Sequence, residues 1–240
     1  MLHQLRQRLS RVLQLLSTPP ARGELRQQYD DTRRDYILAT LQQHLQRPTE
    51  DPAPLLGKKL LDVGCGDATI GTFMALAGAQ VQCLEPDDTL RAAAQATSQT
   101  YGTDIQFSAQ TASQHVQDGQ LYDVILCLDV LEYVEDVPLF LWSLEKMLAP
   151  GGAIIISAIN QTMKSYILHI LFSEYLFKRT VGPRRRWQRF FKPAALQHLL
   201  ADQALRVVNT QGLHFQTQKV RWKLVNKPDT RYLMYVTRLN

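Results

Sequence analysis

The sequence predicts an α/β fold built on a doubly wound, mostly parallel sheet, and three observations carry the prediction. First, from Lys58 onward short apolar runs alternate with helical patterns. Strands are expected at 59–63, 80–84, 104–108, 122–128 and 152–159, with helices near 68–77, 87–99 and 136–148. Alternation of this kind implies parallel βαβ units. Second, the first strand runs straight into Asp62-Val63-Gly64-Cys65-Gly66-Asp67-Ala68, a glycine turn followed by a helix start. Third, Glu85 closes the second strand, nineteen positions after Gly66. An acid at that distance is where nucleotide-type folds hold ribose hydroxyls.

The remaining elements follow in chain order. Residues 2–16 space Leu2, Leu5, Leu9, Val12, Leu13 and Leu16 helically, with Arg6, Arg8 and Arg11 and no acid before Glu24. A packing helix is the favoured reading; a membrane-surface helix and an organellar presequence are the alternatives. Thr18-Pro19-Pro20 should end it. A second helix over roughly 23–46 carries Tyr29, Tyr36, Ile37 and Leu41 on one side and Arg33 and Arg34 in its middle. Pro48, Pro52 and Pro54 then mark a linker, since proline cannot continue a helix. Residues 1–56 therefore read as a helical cap with its linker, and 57–240 as the main domain. Pro150-Gly151-Gly152 is expected to turn into the fifth strand. After Ile159 the alternation breaks, and 160–192 read as an insertion. Helix 193–202 and strands near 205–211 and 231–237 complete a sheet of seven strands.

Composition narrows the function classes. Apolar residues make up 45% of the chain, enough for one core, and the net charge is only +5. The basic residues cluster in the insertion without an aromatic-rich RNA-binding motif, which argues against a nucleic-acid substrate. Cys65, Cys83 and Cys127 all fall in or beside core strands, which suits a reducing compartment rather than a disulfide framework. No run reaches 18 apolar residues, so no membrane-spanning helix is expected.

In a doubly wound sheet, ligands sit outside the carboxyl ends of the strands. That edge collects the 62–67 turn, Glu85, the loop at Gln110-Thr111 and the segment after Cys127. The turn lacks the third glycine of a dinucleotide fingerprint, because position 69 is Thr. Asp62, just ahead of the first glycine, suits a charged amine. Asp129 and Glu132 follow the fourth strand three residues apart. In the first turn of a helix they would face the same way; helix-start capping explains the same pattern. Of the histidines, His3, His44 and His115 read as surface residues, His169 falls in the insertion, His198 on a late helix, and His214 in a Gly212-Leu213-His214-Phe215 turn as a candidate for the substrate cavity; for each of them a structural role is the favoured reading.

The 62–68 run resembles motif I of the Rossmann-like class I S-adenosylmethionine (SAM)-dependent methyltransferases, with Ala68 where a glycine is common. Over residues 55–240 the chain resembles one group of them, the ubiquinone-biosynthesis O-methyltransferases. The resemblance rests on Gly57-Lys58-Lys59 before motif I, Asn160-Gln161-Thr162-Met163-Lys164-Ser165-Tyr166 after the fifth strand, Glu174-Tyr175, and Phe191-Lys192-Pro193-Ala194-Ala195-Leu196. Gly212-Leu213-His214-Phe215 and Arg231-Tyr232-Leu233-Met234 extend it to the end of the chain.

That resemblance implies SAM as cofactor and methylation of a phenolic hydroxyl on a polyprenylated catechol or demethylubiquinol. It implies that Arg33 meets the SAM carboxylate, that Gly64 and Glu85 contact SAM, and that Leu128 lines its pocket. Asp62, Cys65, Gly66 and Gln110 complete the cofactor-binding candidates. Asp129 and Glu132 match two acids of an E-x-x-E-H motif that holds a divalent cation, but its histidine is Tyr133 here. A weakly held Mg²⁺ is expected, with one of the two acids serving as general base if the metal is lost. The resemblance also implies a lipid-partitioning substrate. With the apolar and basic stretch at 164–192, it suggests docking on an anionic membrane surface. A cytoplasmic protein peripheral on the inner membrane, or in the mitochondrial matrix of a eukaryote, is the expectation, with a biosynthetic complex as a further partner. Another small phenolic or lipid-like acceptor, or a non-catalytic SAM-binding role, are the alternative readings.

Overall fold

A computed structural model describes residues 19–165, 189–216, 219 and 221–239. The expected N-terminal helix over 2–16 and most of the 160–192 insertion lie outside them. Helix α1 spans Pro19–His44. It buries Leu25, Tyr29, Tyr36, Ile37 and Leu41, at spacings of 4, 7, 1 and 4 residues, so one stripe of the helix faces the domain. The alternating region follows as β1 (Lys59–Val63), α2 (Thr69–Leu76), β2 (Gln80–Leu84), α3 (Asp88–Tyr101), β3 (Ile105–Ser108), the single turn α4 (Ala112–His115) and β4 (Tyr122–Leu128). Then come α5 (Val137–Met147), β5 (Leu148–Ile159), α6 (Pro193–Ala201), β6 (Leu205–Gln216), β7 (Arg221–Val225) and β8 (Arg231–Arg238).

The sheet runs β3-β2-β1-β4-β5-β8-β6-β7. Strands β1 to β5 pair in parallel, whereas β8 pairs antiparallel with both β5 and β6. Strand order reverses between β1 and β4, and a crevice opens at such a switch point outside the strand ends. Side chains alternate across the sheet. On β4, Ile125 and Cys127 join a cluster with α5 and α6, while Val124 and Leu126 join one with α1, α2 and α3.

Strand β7 is an eighth strand beyond the expected seven. Its sequence, Arg221-Trp222-Lys223-Leu224-Val225, mixes charge into a short run, and only pairing with β6 makes it a strand. Pro150-Gly151-Gly152 lies inside β5 rather than before it, at the register shift between Tyr122 and Val124. Gly212-Leu213-His214-Phe215 is likewise strand interior. A Cβ on Gly212 would lie 2.6 Å from the Lys227 carbonyl oxygen, so glycine lets the β7–β8 connection cross there. His115 is buried, not at the surface: its ring bonds the Tyr122 hydroxyl at 2.7 Å and Gln110 Oε1 at 2.8 Å.

Candidate active site

The turn after β1 is built from left-handed backbone. Gly64, Gly66 and Ala68 have φ of +64°, +61° and +53°. Two of the three are glycine, which adopts this region without a Cβ penalty; Ala68 does so at the N-cap of α2. The Gly64 N–H donates to the Leu84 carbonyl at 2.7 Å and the Gly66 N–H to Glu85 Oε2 at 2.9 Å, so the turn is tied to the end of β2. A Cβ on Gly64 would sit 2.8 Å from Val130 Cγ2. The turn after β1 therefore packs directly on the turn after β4. Gly64→Ala combines that overlap with left-handed strain of about 1–2 kcal/mol. It should lower the urea midpoint and weaken cofactor binding together; an unchanged midpoint would mean that Val130 moves aside freely.

Three predicted cofactor residues converge on this turn. Glu85 is buried, and its Oε1 also accepts the Asp87 N–H at 3.1 Å. Asp62 is buried beside α2: a Cβ on Gly71 would lie 2.9 Å from its Oδ2. Burial, with Glu85 and Asp67 nearby, pushes the Asp62 carboxyl up to about 7, against the pull of Arg33. Cys65 is half-buried in the turn and is a free thiol. Leu128 ends β4 in register with Ser157. Gln110 lies further along the edge, where its Oε1 accepts from Ser108 Oγ at 3.0 Å.

Helix α1 covers the same edge through a buried polar cluster. Arg33 Nη1 and the Tyr29 hydroxyl each donate to Asp129 Oδ2 at 3.0 Å, and Arg33 Nη2 also bonds Asp30. Arg231, at the start of β8, donates from Nη1 to Asp129 Oδ1 and to the Tyr29 hydroxyl, both at 3.0 Å. The two guanidinium carbons stand 4.2 and 5.2 Å from the Tyr29 ring centroid, and Trp222 of β7 packs on that ring at 4.8 Å. Burial pushes the Tyr29 phenol up to about 12, so it donates as a neutral hydroxyl. Arg26 reaches from α1 to Asp67 of the glycine turn. One buried donor in the cluster, Arg33 Nε, has no hydrogen-bond partner.

Asp129 and Glu132 do not share a helix turn. Asp129 has φ of +58° and precedes a 3₁₀ turn at Leu131–Tyr133, and α5 starts only at Val137 behind the Asp136 cap. Each acid is held by a different residue of β5. The Asp129 N–H meets Ser157 Oγ at 3.0 Å and Ser157 Oγ returns to Asp129 Oδ1 at 3.2 Å; Glu132 Oε1 accepts the Ile159 N–H at 2.8 Å. As donors for a divalent cation they are poorly disposed. Asp129 already carries two guanidiniums, Glu132 is spent in part on backbone, and a phenol is a poor neutral ligand at position 133. Among the described residues no three His, Cys, Asp or Glu side chains group as metal ligands. The residues present therefore do not fit the expected Mg²⁺.

Sequence reasoning missed Tyr29, Ser157, Trp222 and Arg231 as members of this site. Ser157 and Arg231 are legible only from register, since Leu128 faces Ser157 across β4–β5 and Ile159 faces Arg231 across β5–β8.

A mostly parallel sheet with a glycine turn, a buried acid at the end of β2 and another just before the turn is the arrangement expected of a doubly wound methyltransferase. The chain matches the family described as a methyltransferase domain over residues 1–210. It is 32% identical to the ubiquinone biosynthesis O-methyltransferase of Rickettsia canadensis, over 75% of this chain and 76% of that one. It is 30% identical to the same-named protein of Methylobacterium nodulans, over 88% and 84%. In fold it is similar to magnesium protoporphyrin IX methyltransferase from Synechocystis solved with bound SAH, with a TM-score of 0.64, 22% identity and coverage of 90% and 86%. The chain belongs to the ubiquinone biosynthesis O-methyltransferase family and is a SAM-dependent methyltransferase.

Proposed function

We propose that this enzyme methylates a phenolic hydroxyl of a polyprenylated catechol or demethylubiquinol, with 57–240 as the catalytic domain and 1–56 as its cap. Family membership supports the acceptor class. For the cofactor's orientation, the observation that carries the reading is the orphaned Arg33 Nε. A buried charged donor without a partner costs more than the roughly 1–3 kcal/mol of a neutral one, and the carboxylate of SAM would satisfy it. In this reading Asp62 faces the cofactor's cationic end, Gly64, Cys65 and Gly66 leave room for it, and Glu85 holds its ribose. Leu128 and Gln110 line the remainder.

Bound SAM supplies a methyl group on an electrophilic sulfonium. The chain's task is to align the acceptor oxygen with that methyl group and to remove its proton, and alignment alone can contribute roughly 7–11 kcal/mol. Model phenols have a pKa of about 10, so a base is needed near neutral pH. Asp129 is already engaged by two guanidiniums. We assign proton removal to Glu132. Glu85→Ala should weaken SAM binding about tenfold or more, because charge-assisted bonds contribute roughly 1.5–3 kcal/mol each. Titration calorimetry returning the wild-type affinity would remove Glu85 from the site. Product analysis with prenylated catechols tests the acceptor.

We further infer that residues 164–192 dock on an anionic membrane, from sequence alone. An apolar stretch precedes Lys178, Arg179, Arg184, Arg185, Arg186, Arg189 and Lys192, with Trp187, Phe190 and Phe191 interleaved. Such a cluster contributes about 1 kcal/mol per basic residue near an anionic surface. Among the described residues no helix is long and apolar enough to cross a membrane. The protein should sediment with anionic vesicles and be released by high salt. Replacing Arg184, Arg185 and Arg186 by Gln should weaken that binding with SAM affinity intact; equal binding of both proteins would show that the cluster is not the anchor. A peripheral location at the inner membrane, and association with other enzymes of the pathway, follow from this reading.

A further inference from the structure

We propose that Arg231 is a positioning residue that takes, on Asp129, the place a divalent cation would hold, so that the two acids work with a guanidinium and methyl transfer needs no metal. The proposal rests on the methyl-transfer reading above. Its carrier is geometry. Arg231 Nη1 stands 3.0 Å from Asp129 Oδ1, the oxygen that Arg33 and Tyr29 leave aside. Its backbone faces Ile159, whose N–H is held by Glu132 Oε1 at 2.8 Å. Arg231 therefore pairs with one acid through its side chain and lies beside the other acid's tether through its backbone register. Its side chain is only 13% exposed and the Asp129 side chain 15%.

Charge and coordination both disfavour a metal beside it. A dication entering between the acids would face Arg231 and Arg33 at close range with little water to screen them. Mg²⁺ also demands a near-octahedral shell of oxygens and keeps several waters, while both Asp129 oxygens and one Glu132 oxygen already accept hydrogen bonds. Arg231 itself stays charged: burial lowers its pKa, but Tyr29, Asp129 and Glu132 outweigh that effect. The Tyr29 hydroxyl fixes the same Nη1 from the other element, so the guanidinium has a set position rather than a range of rotamers. A fixed positive charge there does two things. It holds Asp129 in its left-handed turn, and it gives a developing phenolate an adjacent cation without ligand exchange.

The test uses the full chain. Titration calorimetry of the unaltered protein with Mg²⁺ alone, then with Mn²⁺ alone, should give no saturable binding, and turnover should survive chelator followed by dialysis. Arg231→Ala should lower kcat about tenfold or more with KM for SAM little changed, and Arg231→Lys should recover much of the loss, since it restores the charge. Saturable Mg²⁺ binding by the unaltered protein, with turnover lost to chelator and restored by Mg²⁺, overturns the proposal. So does an Arg231→Ala variant with wild-type kcat. Metal titration needs no acceptor, so a wrong acceptor assignment would show separately, as SAM binding without turnover on any phenol.

Discussion

Glu132→Gln is expected to cut kcat by about two orders of magnitude while leaving KM for SAM unchanged. Positioned general bases contribute typically 10²–10⁴-fold, and the other acid, Asp129, is paired with both Arg33 and Arg231. The substitution is close to isosteric. Gln Oε1 still accepts the Ile159 N–H, now held at 2.8 Å, so the 3₁₀ turn keeps its tether to β5. Loss of fold is thus separable from loss of chemistry: the thermal midpoint should move little while turnover collapses. The pH profile should change as well, with activity recovering at high pH where the phenol ionises unaided. If kcat stays within about threefold of wild type, proton removal belongs to another group, and Glu132 is a structural tie between the β4 turn and β5.

Contrast with Asp129 shows why the site was only half legible in the sequence. The two acids look equivalent there, three apart after an apolar strand. Their difference comes from partners that are distant in the chain: Arg33 and Tyr29 on α1, Ser157 on β5 and Arg231 on β8. The parallel strands, the glycine turn and Glu85 were legible because each is a local pattern. Apolar runs, glycines at left-handed positions and an acid at a strand end need no tertiary information. Strand β7 and the burial of His115 were not legible. The first becomes a strand by pairing with β6, and the second is buried by accepting Tyr122 and Gln110 as partners for its two ring nitrogens. Gly212 misled for the opposite reason: a glycine that suggests a turn marks a close backbone crossing over a strand.

The second large effect concerns Asp62 and pH. Its carboxyl is pushed from 3.8 up to about 7, by burial first and then by Glu85 and Asp67, while Arg33 and the Gly71 N–H pull the other way. The folded protein therefore holds this proton where the unfolded chain has lost it. The stability this provides is fully present below about pH 4 and is lost as pH rises through about 7. Cofactor binding runs in the opposite sense. A cationic amine or sulfonium near Asp62 favours the carboxylate, so binding below about pH 7 must release the proton. SAM affinity should then fall about tenfold for each pH unit below that value and level off above it. Calorimetry in two buffers of different ionisation enthalpy should count about one proton released at pH 6 and almost none at pH 8. Asp62→Asn removes the titration and keeps the shape. It should bind SAM about tenfold or more weakly at pH 8, with no pH slope of its own from this position, and should unfold at higher denaturant than wild type above neutral pH. A wild-type affinity that is flat from about pH 6 to 8, or an Asn variant with the same slope, would place the cationic end of the cofactor away from Asp62.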